Sequence, residues 1–122
     1  MTINEVIAKV DSIRPNQYSK DEKIRWLLQV EDRIKNEIYM THEHDDIEFT
    51  DTSEEDEGEI TLFAPSPFDE LYILFLAWRI DSYNAEYSRA NNDAEQFNNI
   101  YSDFEKYYNR QHMPIPVNRI TY

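Results

Sequence analysis

Cysteine is absent from this 122-residue chain, and glycine occurs once, at Gly58. Without cysteine there is no disulfide framework, no thiolate metal site and no thiol nucleophile. That fits the cytosol, or a particle assembled there. A single glycine rules out Gly-rich phosphate loops and disfavours a β-rich fold with many tight turns. No apolar run approaches the about 20 residues that a membrane span needs. The N-terminal MTINEVIAKVDS is amphipathic, carries Glu5 and Asp11, and has neither a basic region nor an apolar one; it does not read as a signal peptide. G-x-S-x-G, H-E-x-x-H and P-loop motifs are also missing.

Positive charge is missing where negative charge is densest. The net charge is −13. Residues 1–40 balance, with seven acids against seven bases, and residues 61–122 contribute only −3. Residues 41–60, THEHDDIEFTDTSEEDEGEI, hold ten carboxylates (Glu43, Asp45, Asp46, Glu48, Asp51, Glu54, Glu55, Asp56, Glu57 and Glu59) with no Lys or Arg. Such a block stays solvated and extended. It argues against a grip on nucleic acid, which needs a basic stripe facing phosphates.

What is present is helical periodicity. Thr2 and Glu5 form a capping box, and Ile3, Val6, Ile7, Val10 and Ile13 follow at helical spacing until Pro15. Ser19 and Glu22 form a second box. Ile24, Leu27, Leu28, Ile34 and Ile38 then predict a helix from about Lys20 to about Met40, with Arg25, Glu31, Asp32, Arg33 and Lys35 on its other faces. Asp21/Arg25 and Glu31/Lys35 are spaced as i,i+4 ion pairs. Ile60–Phe63 reads as a short strand or an extended lead-in. Ser66, Pro67 and Asp69 mark a helix start, predicting a third helix from about Pro67 to about Arg89. Asn91-Asn92-Asp93 reads as a turn and cap before a fourth helix, which carries Phe97, Ile100, Tyr101, Phe104, Tyr107 and Tyr108 to about Gln111. The ending MPIPVNRITY, with prolines between apolar residues, reads as extended. The expectation is one all-α, four-helix bundle-like domain over 1–112, with an acidic loop at 41–60 and an extended tail at 113–122.

The third helix sets the functional reading. Leu71–Ile80, LYILFLAWRI, is apolar or aromatic at nine of ten positions. A helix apolar on nearly every side must be covered by something, and a chain this short has few helices to do it. That points to a subunit of an assembly. Candidate interface side chains are Tyr72, Phe75, Leu76 and Trp78, with Tyr101 and Tyr108 of the fourth helix and Met113, Pro114, Ile115, Pro116 and Val117 of the tail. The nine tyrosines suit an interface, where an apolar ring and a polar hydroxyl are both useful.

Chemistry-bearing groups are sparse. His42-x-His44 with Glu43 and Asp45 has metal-binding residue types, but an acidic loop supplies no second shell, and the reading favoured is a solvated segment. The carboxylates can attract calcium weakly; the EF-hand pattern fails, because placing Gly58 at loop position six puts Ala64 at position twelve. Asp81, Asn84, Glu86 and Arg79 are conceivable as an acid/base set. A buried polar network fixing helix register is the favoured reading, since buried polar groups must satisfy one another. No catalytic, cofactor or metal residues are assigned.

Several short motifs resemble a family. Pro15-Asn16-Gln17-Tyr18 leading into Lys23-Ile24-Arg25-Trp26-Leu27 is similar to the first half of head–tail connector (adaptor, head-completion) proteins of tailed phages and prophages. Pro65-x-Pro67-Phe68 with Leu71-Tyr72, Asp81-x-x-Asn84-x-Glu86-Tyr87, Asn91-Asn92, Phe97, and Tyr107-Tyr108-Asn109-Arg110 with Met113-Pro114 resemble the rest. The resemblance implies a small helical virion protein in a ring of about twelve copies beneath the portal protein. Such a ring extends the DNA channel without binding DNA specifically and docks the tail-side connector or terminator. It implies no catalytic residues and no membrane. The acidic loop would face the channel or an exposed rim. The alternative is an acidic DNA-mimic inhibitor of a nucleic-acid-binding partner; neutral first and second helices count against it. A small enzyme using Asp81 and Glu86 ranks below both.

Overall fold

The computed structural model describes residues 1–41 and 57–112. The expectations for His42, His44 and the carboxylates from Glu43 to Asp56, and for the tail from Met113 to Tyr122, lie outside the described residues. The fold is all-α and bundle-like, as the periodicity predicts. Its helices are α1 (Ile3–Ile13), α2 (Lys20–Ile34), α3 (Glu70–Tyr83) and α4 (Tyr87–Gln111). A π-helical turn, Lys35–Tyr39, continues α2, and a 3-10 turn covers Glu57–Glu59.

Local chemistry explains most boundaries. Both arms of the Thr2 box form: Glu5 N donates to Thr2 Oγ1 at 3.2 Å and Thr2 N to Glu5 Oε1 at 3.3 Å. Arg14 leaves helical backbone (φ −135, ψ 76), as the residue before a proline tends to. Ser19 Oγ caps α2 by accepting from Glu22 N, although only this arm of the expected box is made. After Ile34 the helix widens, and Met40 N donates to Lys35 O at 2.9 Å, five residues back.

Three expectations need correction. The third helix begins at Glu70, not Pro67, because Phe68 N and Asp69 N both donate to the Pro65 carbonyl and hold residues 65–69 in a turn. It ends at Tyr83, not Arg89. The chain reverses at Asn84-Ala85-Glu86, where Ala85 takes φ +60 and Glu86 N donates to Asp81 O at 2.8 Å. The Asn91-Asn92-Asp93 segment lies inside α4, and Asp93 is buried.

Ile60–Leu62 is an extended lead-in. Ile3 N donates to Ile60 O and Leu62 N to Met1 O, giving a single antiparallel bridge between Thr2 and Thr61. The bundle centres on α3, which packs against α1, α2 and, most extensively, α4. Leu71, Tyr72, Leu76 and Ile80 are fully buried, facing Val6, Val10, Leu27, Ile34, Phe97 and Phe104 in one core. Burying each such side chain stabilises by about 1.5–3 kcal/mol, against about 0.3–0.5 kcal/mol for an exposed i,i+4 ion pair. The apolar rod, not the surface charge, sets the arrangement.

Candidate functional site

The sequence's candidate interface residues divide by burial. Tyr72 and Leu76 are completely buried inside the chain, and Tyr101 and Tyr108 nearly so; internal packing accounts for their apolar character. Phe75 and Trp78 are half-buried. Their rings meet edge to face at 5.9 Å and lean on Phe97 of α4 at 5.6 and 5.9 Å. Leu74, one turn before Trp78, is also half-buried. The bundle therefore covers α3 only in part, and Leu74, Phe75 and Trp78 form an apolar strip on its surface.

A second apolar surface lies at the α3–α4 turn. Tyr83 and Tyr87 are exposed at 60% and 66%. Tyr83 stacks on Trp26 (5.4 Å, interplanar 10°), and Tyr18 closes the group edge-on at 5.5 Å from Trp26. Tyr18 is held by its hydroxyl, which donates to Asn84 Oδ1 at 2.7 Å. At 100° per residue, Tyr83 sits about 140° round α3 from Trp78, so the two surfaces face different directions.

Beneath that turn is a buried carboxylate pair. Asp81 and Asp93 are 1% and 3% exposed. Arg14, at the end of α1, donates from Nε to Asp81 Oδ2 at 3.1 Å and pairs through Nη2 with Asp93 Oδ1 at 3.6 Å. Arg89 approaches Asp81 at 3.9 Å and Glu86 at 3.7 Å. Burial pushes Asp93 up to about 7; a hydrogen bond to Asp81 and its negative charge push the same way, while Arg14 and Arg89 oppose. Asp93 Oδ2 meets no hydrogen-bond donor, and protonation of Asp93, which its raised pKa favours, lessens the cost of burying it. Asp81 thus joins a buried polar network, with Arg14, Asp93 and Arg89 in place of Asn84 and Arg79. Asn84 bonds Tyr18, and Arg79 donates to Gln29 Oε1 at 2.7 Å. Of the imagined acid/base set, only Asp81 and Glu86 come together, bridged by Arg89.

A second buried knot was not foreseen. Glu31, assigned to an outer face of α2, points inward and is 7% exposed. Its carboxylate accepts from Tyr72 Oη at 2.7 Å and Phe63 N at 2.8 Å, while Tyr72 Oη accepts from Ala64 N at 2.9 Å. Burial raises Glu31 above the usual carboxylate range against the pull of these bonds. Burial, then the Glu31 charge, raises Tyr72 as well. Across α2 and α4, Arg33 lies over the Tyr101 ring at 4.4 Å, and Tyr101 Oη donates to Glu37 Oε2 at 2.7 Å.

Sequence reasoning missed Arg14, Asp93, Glu31, Tyr83 and Tyr87. One signal was available: Glu31 lies seven residues after Ile24 and three before Ile34, hence on the apolar stripe of α2. Of the acidic loop, the structure describes Glu57 and Glu59, which flank buried Gly58 on α1; Asn4 Nδ2 donates to Glu59 Oε1 at 2.9 Å. Among the described residues there is no group of three or more His, Asp or Glu side chains that could hold a metal ion, and no helix long and apolar enough to cross a membrane. No family model matches the sequence, and no curated protein or solved structure is similar enough to place the chain in a family.

Proposed function

We propose that this chain is a head–tail connector subunit of a tailed phage or prophage: a non-catalytic virion protein that forms a ring beneath the portal, extends the DNA channel and docks the tail. The observation that carries the reading is the incomplete cover of α3, whose Leu74, Phe75 and Trp78 stay half-buried in the single chain. A ring needs two unlike surfaces per subunit, and the exposed Tyr83–Tyr87 corner supplies another apolar patch. The acidic stretch suits the same role, since carboxylates along a channel or rim repel phosphates and let DNA pass without sticking.

The test is the sedimentation of the purified chain alone and with the portal protein encoded beside it. The expected result is a ring-sized species, or co-assembly with the portal ring in fixed ratio, and its loss in Leu74→Asp with helical circular dichroism retained. A chain that stays monomeric with and without the portal overturns the reading. Salt-sensitive binding to a nuclease or repressor, without ring formation, would favour the DNA mimic instead.

A further inference from the structure

We propose that a groove at the C-terminal end of α4 receives the proline-containing tail, residues 113–117, of a second copy of this chain. The inference deepens the subunit reading and rests on it only in requiring that two copies meet.

The groove is lined by Phe63, Pro65, Phe104, Tyr107, Tyr108 and His112 and measures about 200 Å³. Phe104 and Tyr108 are buried and form its floor; Tyr107 is half-buried and Pro65 is exposed. The rings are fixed by one another. Phe63 lies 6.2 Å from Phe104 and 5.9 Å from Tyr108, and His112 stacks on Tyr108 at 4.1 Å. Small-molecule clefts begin at about 300 Å³; this groove is smaller, and with Gln111 included five of its seven lining residues are aromatic. Aromatic-lined grooves are what polyproline II segments dock into, because the ligand arrives with little conformational entropy left to lose. Such a segment leaves its carbonyls unpaired, and the Tyr107 hydroxyl and Gln111 amide are donors at the groove's edge.

The occupant is written in the same sequence. Ten residues follow His112, beginning Met113-Pro114-Ile115-Pro116-Val117. They include Arg119 and no acid, in a chain of net charge −13, so charge favours their return to the surface of this protein. The groove belonging to the same chain is poorly placed to receive them. His112 borders the groove and is itself extended (φ −138, ψ 136), so the chain would have to fold back at once to enter a groove that its own last described residue borders. A neighbour's groove needs no reversal.

The experiment uses full-length chains and sedimentation equilibrium. Tail variant Pro114→Ser/Pro116→Ser and groove variants Tyr107→Ala and Gln111→Trp should each self-associate at least about tenfold more weakly than wild type. Gln111 is exposed, so its replacement fills the groove without touching the core, and circular dichroism checks that every variant keeps its helices. Mixing the tail variant with a groove variant should restore pairing, because the mixture holds one intact groove and one intact tail. If both variants weaken association and the mixture restores nothing, the tail binds its own chain and the proposal falls. If wild type associates and neither variant changes it, the groove is not the contact, while the connector reading stands. A wild type monomeric at every concentration also overturns it. Groove-dependent pairing with no affinity for a portal leaves this contact in place and removes the connector reading.

Discussion

Tyr72 and Glu31 hold each other across the dry centre of the bundle, the phenol donating to the carboxylate at 2.7 Å while taking a bond from Ala64 N. Through this pair α2, α3 and the lead-in at residues 60–64 become one unit. Tyr72→Phe leaves the Ala64 N–H without its acceptor and Glu31 Oε1 without its donor. Each orphaned buried group costs about 1–3 kcal/mol, so a loss of about 2–4 kcal/mol is expected in urea unfolding. Glu31→Gln removes the buried charge and keeps an acceptor, and should cost less than Tyr72→Phe at pH 8. The reverse order would mean that the charge of Glu31, not its geometry, holds the unit together.

Stability should fall as pH rises from about 4 to about 7. Asp93 is raised from 3.8 to about 7 in the folded chain, so over that window the folded state holds a proton that the unfolded state has released, and linkage makes unfolding easier with each step upward. Titration of the other carboxylates also destabilises so acidic a chain, so the comparison must be with Asp93→Asn. That variant should show a shallower decline in melting temperature between pH 5 and 8. Parallel curves for the two proteins would remove the assignment.

Arg14 reaches both carboxyls of the pair, at 3.1 and 3.6 Å. Arg14→Met should destabilise by about 2–3 kcal/mol at pH 8, below the about 3–5 kcal/mol of a fully buried pair, because the Arg14 side chain is 24% exposed. Protonation of Asp93 relieves the repulsion between the carboxyls, so the loss should shrink at pH 5. A loss independent of pH would show that Arg14 acts only through packing.

Gly58 has no room for a side chain: a β-carbon there would collide with the Asn4 amide. Gly58→Ala should swing Asn4 away from Glu59 and cost about 1 kcal/mol, the worth of one hydrogen bond. In a double-mutant cycle, Gly58→Ala should add almost nothing to Asn4→Ala. Full additivity of the thermal shifts would place the cost elsewhere.

The helical class, α1 and the start of α2 were legible because their signals are local: a hydroxyl facing an amide three residues on, apolar residues a turn apart, a proline that stops the run. The α3–α4 turn was not, because its reversing residue is Ala85, whose positive φ no glycine or asparagine announces, while the Asn91-Asn92-Asp93 triplet carries turn chemistry inside a helix. Asp93 is there to meet Asp81 and Arg14, partners far away in sequence. Glu31 was misplaced for the same reason. Its charge suggested an exterior position, and only the fold supplies the Tyr72 phenol and the Phe63 amide that make its burial tolerable. The aromatic residues of α3 and α4 were legible as apolar, but which of them remain at the surface is decided by the packing of four helices at once.

The roots of the acidic stretch are both fastened. On one side the Thr41 hydroxyl donates to the Glu37 and Ile38 carbonyls; on the other, Gly58 wedges against α1 and residues 60 and 62 are stitched to Ile3 and Met1. These bonds hold the two ends in place without calling on residues 42–56. The entropy of closing a loop grows slowly, by about 0.6 kcal/mol per doubling of its length, so a change in the number of residues between Thr41 and Glu57 should cost the helices little. The anchors thereby separate the register of the helices from the length of the connection.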